Sequence, residues 1–190
     1  MIMGFLQKIL HGRSLIERLF NPSRPTKEWR QIEYFDEDWK SRIKAMAGFL
    51  ETDKTVIDLG CGKMWLKEYL PSGCVYIPVD YKKRSEDSVV ADFNKYEYPP
   101  TKADIAFISG CLEYIRDYKW FIEKIIANSS MVVLSYCTTD YFPDKMERKK
   151  YFWVNHLSSQ EIKDLFSLYN STLRFSQIHN ERTHIFVFVK

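Results

Sequence analysis

The sequence predicts an α/β fold: a doubly wound, mostly parallel sheet with helices on both faces and an antiparallel hairpin near its carboxyl end. Three observations carry this. Apolar, partly β-branched runs (Thr55–Ile57, Val75–Val79, Ala103–Ile108, Met131–Tyr136) alternate with segments of helical periodicity, and strands separated by helices pair in parallel through right-handed crossovers. Thr172–Ile178 and Thr183–Val189 alternate as strands with only His179–Arg182 between them, a hairpin spacing. Thr55–Met64 ends a strand in an acid, Asp58, and two glycines one residue apart, Gly60 and Gly62, before helix formers follow. With 190 residues and 45% apolar composition, residues 1–190 make one domain with enough chain for a core.

Taken in order, Met1–Phe20 sets Ile2, Phe5, Leu6, Ile9, Leu10, Leu15, Ile16, Leu19 and Phe20 at helical spacing, interrupted at Gly12. Residues 1–30 carry six basic side chains against two acidic ones. Both a membrane-surface or partner contact and a packing or lid helix fit that pattern. Basic residues interrupt it too often for a membrane span, and no small-residue cleavage site follows. Pro22 and Pro25 break the chain. A helix is expected from about Thr26 to Leu50, with Trp29, Ile32, Phe35, Trp39, Ile43, Met46 and Phe49 on one face, so that residues 1–50 form a helical lid or packing segment. After the first strand, a helix over Lys63–Leu70 stops at Pro71, and the second strand follows at Val75–Val79. Asp87–Ala91 reads as a short third strand, Ala103–Ile108 as the fourth, Tyr114–Asn128 as a helix and Met131–Tyr136 as the fifth strand. The alternation then stops for residues 137–157, an aromatic and basic insert. Long irregular stretches in compact domains are functional or disordered, and here the aromatics argue against disorder. Ser158 and Glu161 fit a capping box that starts a last helix to about Leu168.

Gly60 and Gly62 suit a turn with positive φ and close approach of backbone to a ligand, with helix N–H groups just beyond. A dinucleotide fingerprint needs a small residue at its sixth position, where this chain has Trp65. The pattern apolar-apolar-Asp-apolar-Gly-x-Gly instead resembles the first motif of the class I S-adenosylmethionine (SAM)-dependent methyltransferases. Val75–Asp80 is similar to that family's second strand, ending in an acid twenty positions after Gly60; Ala91-Asp92-Phe93 and Ala103–Ile115, with its Leu112-Glu113-Tyr114-Ile115 string, resemble later segments. The chain departs from the family at Met64, where a third glycine is common, and in the short gap from Asp80 to Asp92, which suggests a trimmed fold or a different role for Asp92.

The resemblance implies a seven-stranded sheet, SAM as cofactor with S-adenosylhomocysteine as product, and 51–190 as the cofactor-binding core. It implies that Asp80 takes the ribose hydroxyls, that Gly60–Gly62 lies under the methionine end and ribose, and that Asp58 orients the turn or accepts from the amino group. Asp92 and Phe93 would meet the adenine, and Ser109 and Gly110 would line the reacting methyl. Cys61 in the turn and Tyr81 after Asp80 complete the cofactor set. Each acid has a rival reading as a cap or turn residue. Trp29 and Tyr34 are pocket candidates, with core packing as the alternative. For a hydroxyl acceptor, His156, Glu113 and Tyr114 are the candidate bases; His156 lies in Asn155-His156-Leu157-Ser158, a string that resembles one in small-molecule members.

Lys145, Arg148, Lys149 and Lys150 are read either as an anion-binding cluster or as a solvated loop. A net charge of +3 makes no global case for nucleic acid. Strand four also ends in Ser-Gly-Cys-Leu, not the Asn/Asp-Pro-Pro-aromatic string of base methylases. Four cysteines without C-x-x-C spacing read as free thiols in the cytoplasm, and no metal site is expected. The expected activity is methyl transfer to a small molecule, with oxygen of a sugar or glycan precursor as the first acceptor class. A lipid, quinone or nitrogen acceptor is one alternative, and a methyltransferase-like binding subunit without turnover is another.

Overall fold

Seven strands form one sheet in the computed structural model, which describes residues 29–31 and 33–190. They are β1 (Thr55–Leu59), β2 (Val75–Asp80), β3 (Val89–Val90), β4 (Ala103–Ser109), β5 (Ser129–Cys137), β6 (Thr172–Ile178) and β7 (Thr183–Val189). Their spatial order is β3-β2-β1-β4-β5-β7-β6. The first five are parallel, and β7 runs antiparallel between β5 and β6. The expected parallel sheet and terminal hairpin are both present. Four α-helices accompany it among the described residues: α1 (Trp39–Ala47), α2 (Tyr118–Asn128), α3 (Lys145–Lys150) and α4 (Ser159–Ser167). The chain divides into two units, Met1–Ile32 and Glu33–Lys190. In the first, Trp29–Gln31 form a 3-10 turn, and the amphipathic reading of residues 1–20 lies outside the described residues. Everything below concerns the second unit.

The pleat sends alternate residues to opposite faces. Ile57, Leu59, Ala106, Ile108, Val132 and Leu134 face Phe121, Ile122 and Ile125 of α2 and Ile162 and Phe166 of α4. Val56, Ile105, Phe107, Val133, Ile185 and Val187 face Ile43, Met46 and Ala47 of α1, together with Trp65 and Leu66. Both faces are therefore covered, as a parallel sheet requires. At the start of α4, Ser158 Oγ accepts from the Glu161 N–H while Glu161 reaches back to the Ser158 N–H, the expected capping box, worth about 1 kcal/mol.

The helices are shorter than their periodicity suggested. The expected Thr26–Leu50 helix is interrupted: Glu33 takes φ +41°, Asp36 Oδ1 accepts from the Asp38 N–H, and α1 begins only at Trp39. Lys63–Leu70 holds a 3-10 turn, Trp65–Tyr69, entered through Met64 in the left-handed region. The helix expected from Tyr114 starts at Tyr118, because Asp117 caps it by accepting from the Trp120 N–H, and Tyr114 lies in a separate 3-10 turn, Leu112–Tyr114. The third strand spans two residues, not five. The insert at 137–157 contains α3, capped by Asp144, where an irregular segment was expected.

Candidate active site

The carboxyl ends of β1, β2 and β4 meet at one edge of the sheet, where open parallel sheets bind ligands. The Gly60 and Cys61 N–H groups both donate to the Val79 carbonyl, at 2.8 and 3.0 Å, which ties the turn after β1 to β2. Gly60 and Gly62 hold φ +85° and +49°. A Cβ at Gly60 would fall 2.6 Å from Cys111 Sγ, and one at Gly62 would fall 2.5 Å from Phe35 Cε1. No larger residue fits either position. The Gly62 N–H donates to Asp80 Oδ2 at 2.9 Å, so the acid ending β2 grips the glycine turn directly. Asp58 lies inside the edge and accepts from the Tyr76 hydroxyl at 2.7 Å. Burial pushes its carboxyl up to about 7 against that hydrogen bond, with the Asp80 charge adding to the rise.

Arg84 joins Asp80 to the segment before α1. Its Nη2 lies 3.1 Å from Asp80 Oδ1 and 2.8 Å from Glu33 Oε1. Glu33 also accepts from the Tyr81 hydroxyl and from Lys82 Nζ. Burial raises the Glu33 carboxyl, but the hydrogen bonds from Arg84, Lys82 and Tyr81 outweigh it and hold the group down at about 2. Phe35 lies against Gly62, with the Arg84 guanidinium 5.5 Å from its ring centroid. Of the two aromatics proposed for a pocket, Tyr34 is 60% exposed, edge-on to Trp39. Its neighbour Phe35 is the residue that reaches the turn.

At the end of β3, Asp92 is buried and caps the 3-10 turn Phe93–Lys95 by accepting from the Asn94 N–H. Phe93 packs into the core against Phe121, ring centroids 4.6 Å apart. At the end of β4, Ser109 Oγ accepts from Arg42 Nε at 3.0 Å, and the Gly110 N–H donates to Ser135 Oγ at 3.0 Å. Gly110 takes φ +62°, and a Cβ there would fall 2.9 Å from Arg42 Nη2. Cys61 is buried in the turn, and burial pushes its thiol well up.

The three candidate bases differ in availability. Glu113 is 2% exposed; Oε1 accepts from the Cys137 N–H at 3.0 Å, and Oε2 has no partner. Burial raises its carboxyl against the pull of that hydrogen bond and of Arg42 and Arg148. The Tyr114 phenol is pushed up by burial. His156 Nδ1 accepts from Arg148 Nε at 3.0 Å. Arginine can only donate, so the ring proton sits on Nε2 and the lone pair is engaged. Burial and then the charges of Arg148, Lys145 and Lys149 hold this histidine below its ordinary range.

Arg148 is the main correction to the basic cluster. It is fully buried, unlike a solvated or anion-facing charge. Nη1 donates to the Cys137 and Phe142 carbonyls, Nη2 to the Tyr136 hydroxyl, and the guanidinium lies over Trp153, 4.9 Å from the ring centroid. The Asn155–Ser158 string is the other half of this scaffold. Asn155 donates to the Leu112 and Ile115 carbonyls and accepts from Tyr136, Leu157 joins the core, and Ser158 caps α4.

Sequence reasoning missed Glu33, Phe35, Arg42 and Arg84. The only local signal was Arg84, four residues after Asp80. Among the described residues, no group of three or more His, Cys, Asp or Glu is arranged to hold a metal ion, and no helix is long and apolar enough to cross a membrane. All four cysteines are free. A hollow lined by Thr55, Lys102, Asp104, Asn128, Ser129 and Lys190 lies at the amino ends of the strands, away from this edge.

The residues fit SAM. The glycine turn brings its backbone within hydrogen-bond distance of Asp80, and the buried Asp80 carboxylate, engaged by Gly62 and Arg84, stands at the β2 end where a diol would meet it. Arg42 brings a cation to the β4 end.

A family model described as a methyltransferase domain matches residues 28–174. No curated protein matches the sequence. Among solved structures, the 1,6-didemethyltoxoflavin-N1-methyltransferase of Burkholderia thailandensis, with 1,6-didemethyltoxoflavin and S-adenosylhomocysteine bound, has a TM-score of 0.63 at 16% identity, over 82% of this chain and 79% of that one. The magnesium protoporphyrin IX methyltransferase of Synechocystis PCC 6803, with bound S-adenosylhomocysteine, has a TM-score of 0.63 at 11% identity, over 94% of this chain and 99% of that one. A SAM-dependent methyltransferase of Thermotoga maritima, described as a possible histamine N-methyltransferase, has a TM-score of 0.62 at 11% identity, over 80% and 89%. At such identities the likeness is one of fold.

Proposed function

The chain belongs to the methyltransferase-domain family of class I SAM-dependent enzymes, and on that premise we propose that it methylates a small molecule whose accepting atom is already nucleophilic, an amine or an acidic group. The observation that supports the site most is the Gly60–Gly62 turn, held by the Gly62 N–H on Asp80 Oδ2. Asp80 would take the ribose diol, the turn would lie under the methionine end, Asp92 would meet the adenine, and Ser109 and Gly110 would flank the reacting methyl. The bound cofactor supplies an electrophilic methyl on a sulfonium. The chain's own task is to align the acceptor in line and to exclude water.

The acceptor class follows from the bases. His156 has its lone pair engaged by Arg148, and the Tyr114 phenol is raised by burial. Glu113 keeps one uncommitted oxygen, but burial favours its protonated form. A sugar hydroxyl needs a base worth about 10²- to 10⁴-fold in rate, whereas an amine in its neutral form or a carboxylate carries its lone pair already and attacks without one. The glycan reading also loses part of its local support, because Arg148 of the basic insert and the Asn155–Ser158 string serve the scaffold. The nitrogen acceptor in the name of the Burkholderia enzyme agrees with the amine reading. The lipid and quinone alternative rests on residues 1–20. Phe35 on Gly62 and Arg84 on Asp80 favour one other reading, a binding subunit without turnover.

The test is transfer of radiolabelled methyl from SAM into parallel panels of small amines, small acids and sugar precursors. Label in the amine or acid panels is expected. Label in sugars alone would overturn the acceptor class, and S-adenosylhomocysteine binding without label in any panel would favour the binding subunit.

A further inference from the structure

Arg42 stands on α1 next to the buried Ile43 and sends its guanidinium to the end of β4. Nε is engaged by Ser109 Oγ at 3.0 Å, and the group lies 5.6 Å from the Trp39 ring centroid. Nη2, Cζ and Nη1 all lie within 3.4 Å of where a Gly110 Cβ would stand, so the guanidinium covers that glycine. Among the described residues no carboxylate is within ion-pair distance of it. The acid that acts on it, at longer range, is Glu113, which already accepts from the Cys137 N–H and shares its field with Arg148. The guanidinium is half-buried and has Ser109 as its one direct side-chain hydrogen-bond partner among the described residues, and a carboxylate meeting Nη1 and Nη2 in plane is its natural complement.

We propose that Arg42 binds a ligand carboxylate at the reaction site, with both terminal nitrogens engaged above Gly110. The inference rests on the methyltransferase reading. Two molecules there can bring that group: the cofactor, through its amino-acid end, or an acidic acceptor.

The experiment is calorimetry on the whole chain and on Arg42→Met and Arg42→Lys. S-adenosylhomocysteine is compared with 5′-methylthioadenosine, which keeps the nucleoside and thioether but lacks the carboxylate, and acetate is then titrated into protein saturated with S-adenosylhomocysteine. If the cofactor supplies the group, Arg42→Met weakens S-adenosylhomocysteine by about 10- to 100-fold and Arg42→Lys weakens it less, while 5′-methylthioadenosine stays within about twofold. If the acceptor supplies it, both nucleosides are unchanged and acetate binds wild type but not Arg42→Met. Equal loss of both nucleosides would overturn the proposal in favour of packing, and so would identical behaviour of wild type and variants toward all three probes. Wild type that binds neither nucleoside would overturn the cofactor reading itself, and the acetate arm, run without S-adenosylhomocysteine, would then decide Arg42. Should Arg42→Met fail to fold, Arg42→Lys is judged by the same criteria with a loss of at least about threefold.

Discussion

At the β2 end of the strand edge two carboxylates, Glu33 and Asp80, meet two cations, Arg84 and Lys82; at the β4 end two guanidiniums, Arg42 and Arg148, share the Glu113 carboxyl. The first set is joined by direct ion pairs of 2.8 and 3.1 Å. In the second, no direct ion pair forms among the described residues. Arg148 instead spends its N–H groups on carbonyls, a phenol and an imidazole, and Arg42 is left with Ser109. In a medium of low effective dielectric, such imbalances persist as local potential. The edge is therefore polar along its length, with its charges paired at the β2 end, where hydroxyls would dock, and a basic excess at the β4 end, where a carboxylate would. Any ligand with a diol at one end and an acid at the other is oriented by the difference.

The strongest way to break this contrast is to remove the cation that the scaffold holds with neutral partners. Arg148→Ala leaves the Cys137 and Phe142 carbonyls and the Tyr136 hydroxyl without their donor in a buried space, and should cost about 3–5 kcal/mol in urea unfolding, a fall in Tm of roughly 10 °C. A loss under about 1 kcal/mol would mean that this guanidinium is solvated after all. The β2 end responds to pH. The Asp58 carboxyl is raised to about 7 in the fold, so the folded state holds a proton that the unfolded chain releases from about pH 4. That contribution is complete below about pH 4 and is lost as pH rises through about 7. Wild type should therefore lose up to about 4 kcal/mol relative to Asp58→Asn between these limits; parallel stability profiles for the two proteins would contradict it. Glu33 has the opposite sign, since its carboxyl is held at about 2 and its contribution is present above the ordinary carboxylate range and lost as pH falls toward 2. Glu33→Gln should cost about 1 kcal/mol after solvent screening, constant from pH 5 to 8. A cost that varies across that range would place another titration at this latch.

The strand edge was legible because its signals are local. A β-branched run, an acid at its end and glycines at fixed spacing each constrain the backbone on their own, and Asp58, Gly60, Gly62, Asp80, Ser109 and Gly110 all stand at the edge where the sequence put them. The helices were overextended because apolar spacing from Trp29 to Phe49 persists through Glu33–Asp38, where a positive φ and an aspartate turn break the helix. Arg148 could not be singled out. Within Lys145–Lys150 it is one of four basic residues, and only tertiary packing turns it inward. The Asn155–Ser158 string was a true signal of another kind: each residue has a structural partner, so it marks how the insert is fastened rather than where the chemistry occurs.

Whether the Gly60–Gly62 turn and Asp80 form a SAM site is decided by calorimetric titration of S-adenosylhomocysteine and NAD into wild type, Asp80→Ala and Asp80→Asn. Wild type should bind S-adenosylhomocysteine and not NAD, Asp80→Ala should weaken the binding by about 10- to 100-fold, and Asp80→Asn, which keeps the shape but loses the charge, should fall between them. Wild type that ignores S-adenosylhomocysteine, or folded Asp80 variants that bind it as tightly as wild type, would contradict a SAM site there.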